Sequence, residues 1–393
     1  MSFDGMWADL EPVGRDGSTG GYRRYAWTPA DGALREWFTG EARARGLDVV
    51  VDRAGNLWAW TADPDAGGPG LVLGSHLDSV PDGGAFDGPL GIVSAFAALD
   101  RVDRSALRRP VGIACFADEE GARFGVACAG SRLLTGVLDA DRARALTDDA
   151  GTTMAEAMAA AGVDPSALGR DDETLRRIGT FVELHVEQGR ALVDGDAAVG
   201  VGSSIWPHGR WRLDLRGRAD HAGTTRLADR DDPMLRLADV IQGARSAAER
   251  HGALATVGKV RVLPNGVNAI PSSVTAWLDA RGPLDDEVRA VVEEVGRAAG
   301  SEPVEESWTP TTGFDGALRD RLATLLGTDG GSTPILATGA GHDAGILAAA
   351  GVPTAMLFVR NPTGVSHSPQ EHAEADDCHA GVDALARVVM ELA

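Results

Sequence analysis

Short apolar segments of strand character alternate with helical segments through the first half of the chain, and this alternation constrains the fold more than any other feature. Residues 71–73 and 111–116 are almost wholly apolar, as strands buried on both faces are. Helical patterns at 28–46 and 90–99 lie before and between them. The alternation predicts an α/β fold with a mixed, mostly parallel sheet and helices on both of its faces.

The pattern changes after residue 200. Residues 211–217 alternate apolar and polar side chains, as a strand with one exposed face does, and helical patterns follow at 232–250 and 284–299. From about residue 314 the α/β pattern returns. The middle segment therefore predicts a small α+β unit with a one-sided sheet, inserted into an α/β domain.

The predicted α/β domain and the inserted α+β unit divide the chain into a larger domain and an insertion. A length of 393 residues accommodates both, because domains typically hold ~100–200 residues. The boundaries that we predict are 1–206 for the first part of the larger domain, 207–314 for the insertion, and 315–393 for the second part.

The composition excludes several classes of protein. The formal net charge of −21 argues against a nucleic-acid binder and against binding to an anionic membrane surface, since both need clustered Lys and Arg. No apolar run approaches the ~20 residues that span a bilayer, and the first residues do not resemble a signal peptide, so we expect a cytoplasmic protein. Cys115, Cys128 and Cys378 are too few and too scattered for a disulfide scaffold or a cysteine-rich zinc site.

His, Asp and Glu residues are concentrated in five short motifs that lie in predicted strands or directly after them. Any one motif fits a turn, a helix start or a solvated strand face as well as a functional site. Five together, at the strand ends where open α/β sheets bind ligands, indicate a functional site. The motifs contain His76 with Asp78 and Asp87, Asp118-Glu119-Glu120, Glu183 with His185 and Glu187, His342-Asp343, and His367.

Two of these motifs suggest metal chemistry. His76 can offer a neutral imidazole to a metal, while Asp78 could hold its other ring nitrogen and Asp87 could supply a carboxylate. Adjacent carboxylates repel each other unless a cation is near, so one of Glu119 and Glu120 could bind a metal while the other takes a proton from metal-bound water. His342 fits a site residue and a structural histidine about equally well.

In this combination and order, the motifs resemble those of the hydantoinase/carbamoylase family of dinuclear metal amidohydrolases, within the zinc carboxypeptidase–aminoacylase superfamily. The resemblance covers nearly the whole chain, from Gly55-Asn56 to Ser366-His367-Ser368. It implies a zinc-exopeptidase-like α/β domain that binds metal and carries the catalytic residues. It also implies that the insertion serves as a lid and as the dimerisation domain of a homodimer.

The resemblance further implies two divalent metal ions per subunit, with Glu119 as the general base that moves a proton from water to the leaving nitrogen. Zinc is the first expectation, with manganese, cobalt or nickel also possible, because the implied ligands are all nitrogen or oxygen donors, which suit these metals and do not choose among them. The implied ligands are His76 and His185 for one ion, Glu120 and His367 for the other, and Asp87 as the bridge.

Most of the implied substrate contacts lie in the insertion. His221 would stabilise the oxyanion, often in the site of the partner subunit, and Arg281 would hold the substrate carboxylate through a bidentate fork. The chain departs from the family pattern at His208, where Gln is common, and at Arg226, where Pro is usual. The other implied substrate contacts are Gln188, His208 and Asn268.

Together, the residues and the resemblance imply metal-dependent hydrolysis of the C–N bond in a small anionic N-carbamoyl or ureido acid. Within the same fold, allantoate hydrolysis and an aminoacylase or dipeptidase activity stay open. The alternative from a different class is a non-catalytic binding protein, which would have lost part of the metal set or the base. His251, His372 and His379 match no role and are expected at the surface.

Overall fold

The computed structural model describes residues 2–327 and 331–393. These residues form two compact units, one made of the chain up to Ser204 together with Gly313–Ala393, and the other of Ile205–Thr312. We call them unit 1 and unit 2. The boundaries predicted from the sequence, after residues 206 and 314, lie two residues beyond these divisions.

The described chain contains both strands and helices. The strands are β1 (Asp48–Val51), β2 (Leu57–Trp60), β3 (Gly70–His76), β4 (Val111–Phe116), β5 (Ile178–Val186), β6 (Val199–Ile205), β7 (His208–Arg216), β8 (Asp220–His221), β9 (Leu254–Leu263), β10 (Ala269–Ile270), β11 (Ser273–Arg281), β12 (Val304–Thr309), β13 (Thr312–Gly313), β14 (Ile335–Thr338) and β15 (Thr354–Val359). The helices are α1 (Phe3–Leu10), α2 (Pro29–Ala44), α3 (Pro64–Gly67), α4 (Pro89–Asp100), α5 (Ala129–Thr135), α6 (Ala140–Ala145), α7 (Met154–Ala160), α8 (Asp172–Arg177), α9 (Ala191–Asp194), α10 (Pro233–His251), α11 (Asp285–Ala299), α12 (Gly316–Leu326), α13 (Asp343–Ala349) and α14 (Ala375–Leu392).

Unit 1 is built on one large sheet, in which the strands follow the order β1-β2-β4-β3-β5-β15-β6. Strands β4, β3, β5 and β15 run parallel to one another at its centre. Strands β1, β2 and β6 are antiparallel to their neighbours. The prediction of a mixed sheet with a mostly parallel centre is therefore confirmed.

The two faces of this sheet are covered by different helices. Leu71 and Leu73 belong to a buried core with α4 and α14, and α4 is apolar all round because the sheet, α1 and α14 surround it. Phe181 lies on the opposite face, as does α13, whose Ala344 N donates to Glu183. Among the described residues, no helix is long and apolar enough to cross a membrane.

The direction of the central strands brings several polar motifs to one edge of the sheet. Because β3, β4, β5 and β15 are parallel, their carboxyl ends lie along the same edge. His76 is the last residue of β3, and His185 is the penultimate residue of β5. Glu119 and Glu120 follow β4, while His367 follows β15. Residues far apart in sequence therefore meet at this edge.

Unit 2 has a four-stranded antiparallel sheet in the order β12-β7-β11-β9, packed against α10 and α11. Buried and half-buried residues alternate strictly along β11. The buried members, Val274, Ala276, Leu278 and Ala280, join α10 and α11 in a separate core. The one-sided sheet is the arrangement that the alternating sequence pattern predicts. A short pair of strands, β8 and β10, completes the unit.

Candidate metal centre

The structure brings the five predicted metal ligands of unit 1 into two overlapping groups. His76, Asp87 and His185 form one group, and Asp87, Glu120 and His367 form the other. Within each group the possible ligand atoms all lie within 4.8 Å of one another. Asp87, for which the family resemblance implies a bridging role, belongs to both groups.

The two oxygens of Asp87 face different groups. Oδ1 lies 3.0 Å from Nε2 of His185 and 3.5 Å from Nε2 of His76. Oδ2 lies 3.4 Å from Nε2 of His367, which in turn lies 3.6 Å from Oε2 of Glu120. A carboxylate that presents one oxygen to each of two donor sets is arranged to bridge two cations.

Several buried atoms of this cluster make no hydrogen bond of acceptable geometry with any of the described residues, although some lie close to Asp87: Nε2 of His76, Nε2 of His185 and Oε1 of Glu120. Buried polar atoms in folded proteins are nearly always bonded to something. These atoms are nitrogen and oxygen donors directed at a shared space, so divalent cations fit the residues present. The interpretation of His185 as a solvent-exposed strand residue is wrong, because its side chain is fully buried.

Burial and neighbouring charges shift the pKa values of the carboxyl groups in this cluster. Burial raises the pKa of Glu119 and that of Glu120 well above the usual range, and neighbouring carboxylates raise both further. Burial opposes ionisation of Asp87 as well, but His185 and His76 hold its pKa well below its usual value. Divalent cations would balance this group of buried carboxylates.

Backbone carbonyls orient the two buried histidines. Nδ1 of His76 lies 3.1 Å from the backbone oxygen of Asp78, and Nδ1 of His185 lies 2.9 Å from that of Val186. With Nδ1 engaged in this way, each ring presents Nε2 to Asp87. Asp78 thus contacts the ring nitrogen that the sequence predicts for it, most closely through its backbone carbonyl, while its carboxylate lies 3.5 Å from Nδ1.

The Asp78 carboxylate instead accepts hydrogen bonds from the backbone N–H groups of Glu119 and Glu120, at 3.1 and 3.0 Å. It thereby joins the end of β3 to the loop after β4. Glu119 itself is buried, and its Oε2 lies 3.9 Å from Nε2 of His76. A carboxylate beside the ligand cluster, and absent from both ligand groups, is placed as a general base would be.

Glu371 holds the loop that carries Asp87, a role that the sequence analysis missed. One carboxylate oxygen accepts the backbone N–H groups of Phe86 and Asp87, both at 2.9 Å, and the other accepts the Ser366 hydroxyl at 3.2 Å. In the sequence, the position of Glu371 four residues after His367, in the same motif, is the feature that could have suggested this role.

Gln188, predicted as a substrate contact, lies against the Asp87 carboxylate. Its Nε2 donates to Oδ2 of Asp87 and to Oγ of Ser366, both at 3.0 Å. The side-chain oxygen of Gln188 is buried and without a hydrogen bond among the described residues. Contact with substrate stays a prediction for this residue, whereas contact with Asp87 is observed.

His342 lies against the ligand cluster. Its ring centroid is 4.5 Å from that of His185, and it forms a third potential ligating group with Glu183 and His185. Glu183 accepts hydrogen bonds from Oγ of Ser75 and from the N–H of Ala344, so its carboxylate fastens α13 to β3 and β5. Of the two interpretations of His342, the structure favours the one that places it near the site.

The carboxylate of Glu187 forms its hydrogen bonds outside this cluster. Its carboxylate accepts the backbone N–H groups of Ala191 and Leu192 at 2.6 and 3.0 Å, and so caps the short helix α9. The sequence pattern grouped Glu187 with Glu183 and His185 on one strand face, but β5 ends at Val186.

The remaining predicted residues lie in unit 2, where the structure brings them together in two pairs. Strand pairing places His221 opposite Ala269, and the N–H of Ala222 donates to the backbone oxygen of Asn268 at 3.0 Å. His208 and Arg281 are register partners on β7 and β11. His221 is exposed, and its Nδ1 accepts the N–H of Gly223 at 3.0 Å.

The fork of Arg281 contacts Asp279 two residues before it on β11. Nε lies 2.9 Å from one oxygen of Asp279 and Nη2 lies 2.8 Å from the other. Asp279 is not among the site residues predicted from the sequence. A substrate carboxylate that binds Arg281 would therefore compete with, or share, this internal ion pair.

Over most of its length, the chain is similar to several known proteins. Residues 72–391 match Peptidase family M20/M25/M40. The chain is 34% identical to the N-carbamoyl-L-amino acid amidohydrolase of Geobacillus stearothermophilus, over 99% of this chain and 98% of that protein. It is 31% identical to the allantoate amidohydrolase of Escherichia coli (strain K12), over 98% and 96% of the two chains. A crystal structure of a hydantoinase/carbamoylase family amidase from Burkholderia vietnamiensis superposes with a TM-score of 0.87 at 29% identity, covering 99% of this chain and 96% of that one.

Proposed function

Since the chain belongs to the M20/M25/M40 peptidase family and, within it, resembles hydantoinase/carbamoylase amidohydrolases, we propose that it is a metal-dependent amidohydrolase that cleaves the C–N bond of an N-carbamoyl or ureido acid. The observation that carries this proposal is the pair of ligand groups sharing Asp87, with Glu119 beside them. A protein that only binds a small molecule has no need of a complete ligand set and a base.

His76, His185, Asp87, Glu120 and His367 would hold two divalent ions, for which zinc is the first candidate and manganese, cobalt and nickel are the others. When bound, such a pair lowers the pKa of a shared water towards neutrality and polarises the substrate carbonyl. Metal identity and the number of ions are part of the proposal.

Glu119 would accept a proton from the attacking water and deliver it to the leaving nitrogen. A bond then forms between the water oxygen and the carbamoyl carbon, and the bond from that carbon to the amine nitrogen breaks. The carbamate left behind decomposes to ammonia and carbon dioxide, and the amine is released with its new proton. A carboxylate suits both transfers because it can accept the proton and return it.

For the residues of unit 2 we propose the roles that the family resemblance implies. His221 would donate to the developing oxyanion, and Arg281 would bind the carboxylate of the substrate, with Asn268 and His208 as further contacts. Homodimerisation through the insertion belongs to the same proposal and can be checked by light scattering on the purified protein. The cytoplasmic location stays a prediction from the sequence.

The experiment that tests the function is a substrate panel on protein stripped of metal and reloaded with zinc, manganese, cobalt or nickel. The panel contains N-carbamoyl-L- and D-amino acids, allantoate, N-acetyl amino acids and dipeptides. We expect hydrolysis of N-carbamoyl acids to exceed that of N-acetyl acids and dipeptides, with ammonia as a product. Turnover confined to dipeptides or N-acetyl acids would replace this proposal with a peptidase or aminoacylase.

Allantoate hydrolysis is a second candidate, since a relative of nearly equal similarity is named for that activity. The departure at His208 lies where substrate choice would be made, so the panel decides between the two substrates. Glu119→Gln serves as the catalytic control. We expect it to keep its metal and to lose about 10³-fold in kcat, the size of effect that general base catalysis supplies.

A further inference from the structure

The side chain of Glu119 is held by a cysteine that none of the roles above uses. The Cys128 thiol donates a hydrogen bond to Oε1 of Glu119, with sulfur and oxygen 3.2 Å apart. The other carboxylate oxygen, Oε2, faces Nε2 of His76. Cys128 is 3% exposed, and no cysteine appears in the potential metal-ligating groups of the described residues.

The main chain holds Cys128 in this position independently of the thiol. The segment from Ala117 to Gly130 folds back on itself, so that the N–H groups of residues 128, 129 and 130 donate to the carbonyls of residues 119, 118 and 117. Cys128 itself has φ 53° and ψ 36°, in the left-handed region that non-glycine residues seldom occupy. Such conformations persist where the surrounding structure enforces them, and they are concentrated at functional sites.

We propose that Cys128 is a positioning residue for the general base. Its S–H group holds Oε1 of Glu119, which fixes the carboxylate rotamer and leaves Oε2 to exchange the proton with water. This inference rests on the proposed function, because it takes Glu119 to be the base. Burial and the neighbouring Glu119 carboxylate raise the pKa of the Cys128 thiol well above its usual value, in keeping with a thiol that donates rather than a thiolate.

The test compares Cys128→Ala with Cys128→Ser in the metal-loaded full-length protein. Alanine removes the donor, and we expect kcat to fall about tenfold with KM and metal content unchanged. Serine restores a donor at nearly the same place, so we expect its kcat to lie within about threefold of the parent. Cys378→Ala, which removes a buried thiol from α14, is the matched control and should leave kcat unchanged.

The outcomes separate this inference from the proposed function. If Glu119→Gln is inactive but Cys128→Ala keeps full kcat, the positioning role is wrong and the function stands. If Glu119→Gln keeps its activity, the assignment of the base is wrong, and the inference falls with it. If both Cys128 variants lose metal or unfold at much lower temperature, or if serine rescues nothing, the role of Cys128 is structural and the inference is overturned.

Discussion

At the scale of single residues, the centre depends on side chains that bind no metal. Glu371 accepts two backbone N–H groups from the loop that carries Asp87, and it accepts the Ser366 hydroxyl as well. If Glu371 is removed, the buried N–H of Asp87 and the partly buried N–H of Phe86 lose this acceptor. An unsatisfied buried donor costs about 1–3 kcal/mol.

We therefore predict that Glu371→Ala lowers the free energy of unfolding by about 2–4 kcal/mol and weakens metal affinity about 10- to 100-fold. Denaturant unfolding and competition with a chelator measure the two effects. Gln370→Ala is the control, because Gln370 is exposed and lies next to Glu371 in sequence. A Glu371→Ala variant that binds metal as tightly as the parent would contradict the prediction.

The sequence predicted the candidate ligands that the structure brings together, but not the residues that hold them in place. His76, at the end of a strand, and Glu120 and His367, each after a strand, carry side chains that metals bind, and the family resemblance implies their roles as ligands. The roles of Glu371, Cys128 and Asp279 arise from contacts made only when the chain is folded. The contact between Asp87 and Glu371 joins residues 284 positions apart, which no local pattern can reveal.

At the scale of elements, the start of α4 packs directly on the end of β3. Gly88, the residue before α4, has φ 86°, and a Cβ there would lie 2.5 Å from the His76 ring. A side chain at this position would therefore have to displace His76, in addition to straining the backbone. This close approach explains why a glycine stands between the ligand Asp87 and the helix.

Gly88→Ala is accordingly predicted to lower both metal content and kcat by at least tenfold. Gly68→Ala is a matched control, because Gly68 has a similar φ of 80° and an added Cβ would meet nothing within 4 Å. That control should keep its activity and lose about 1–3 kcal/mol of stability from backbone strain, because φ 80° with ψ 175° is a conformation that essentially only glycine adopts. Metal analysis and steady-state kinetics on the two variants check the prediction. Equal kcat values for the two variants would contradict it.

The elements differ in how well their sequences predicted them. The central strands and the helices α2, α4, α10 and α11 have long or fully apolar patterns, and the predicted ranges match them within a few residues. The short helices α5 to α8 escaped prediction because each has at most seven residues, too few to show a helical period. The strand order β4-β3-β5-β15 also could not be predicted from local sequence patterns, since it depends on pairing between distant segments.

At the scale of the whole molecule, the acidic composition describes the surface and not the metal centre. The formal charge of −21 argues against anionic partners, yet the proposed substrate is an anion. Two divalent cations would add a local charge of about +4. They would offset the buried carboxylates of Asp87, Glu119 and Glu120, so the centre can receive a carboxylate that the surface would repel.

Metal removal should therefore destabilise the protein as a whole. Ligands that bind the folded state alone stabilise it by mass action, and the cluster exists only when β3, β4, β5 and β15 have assembled. We predict that a chelator lowers Tm by several degrees and that added zinc or manganese restores it. In Asp87→Asn, which weakens the bridge between the two ligand groups, the same chelator should shift Tm far less. Thermal unfolding by calorimetry measures both proteins, and an unchanged Tm for the parent after verified metal loss would contradict the prediction.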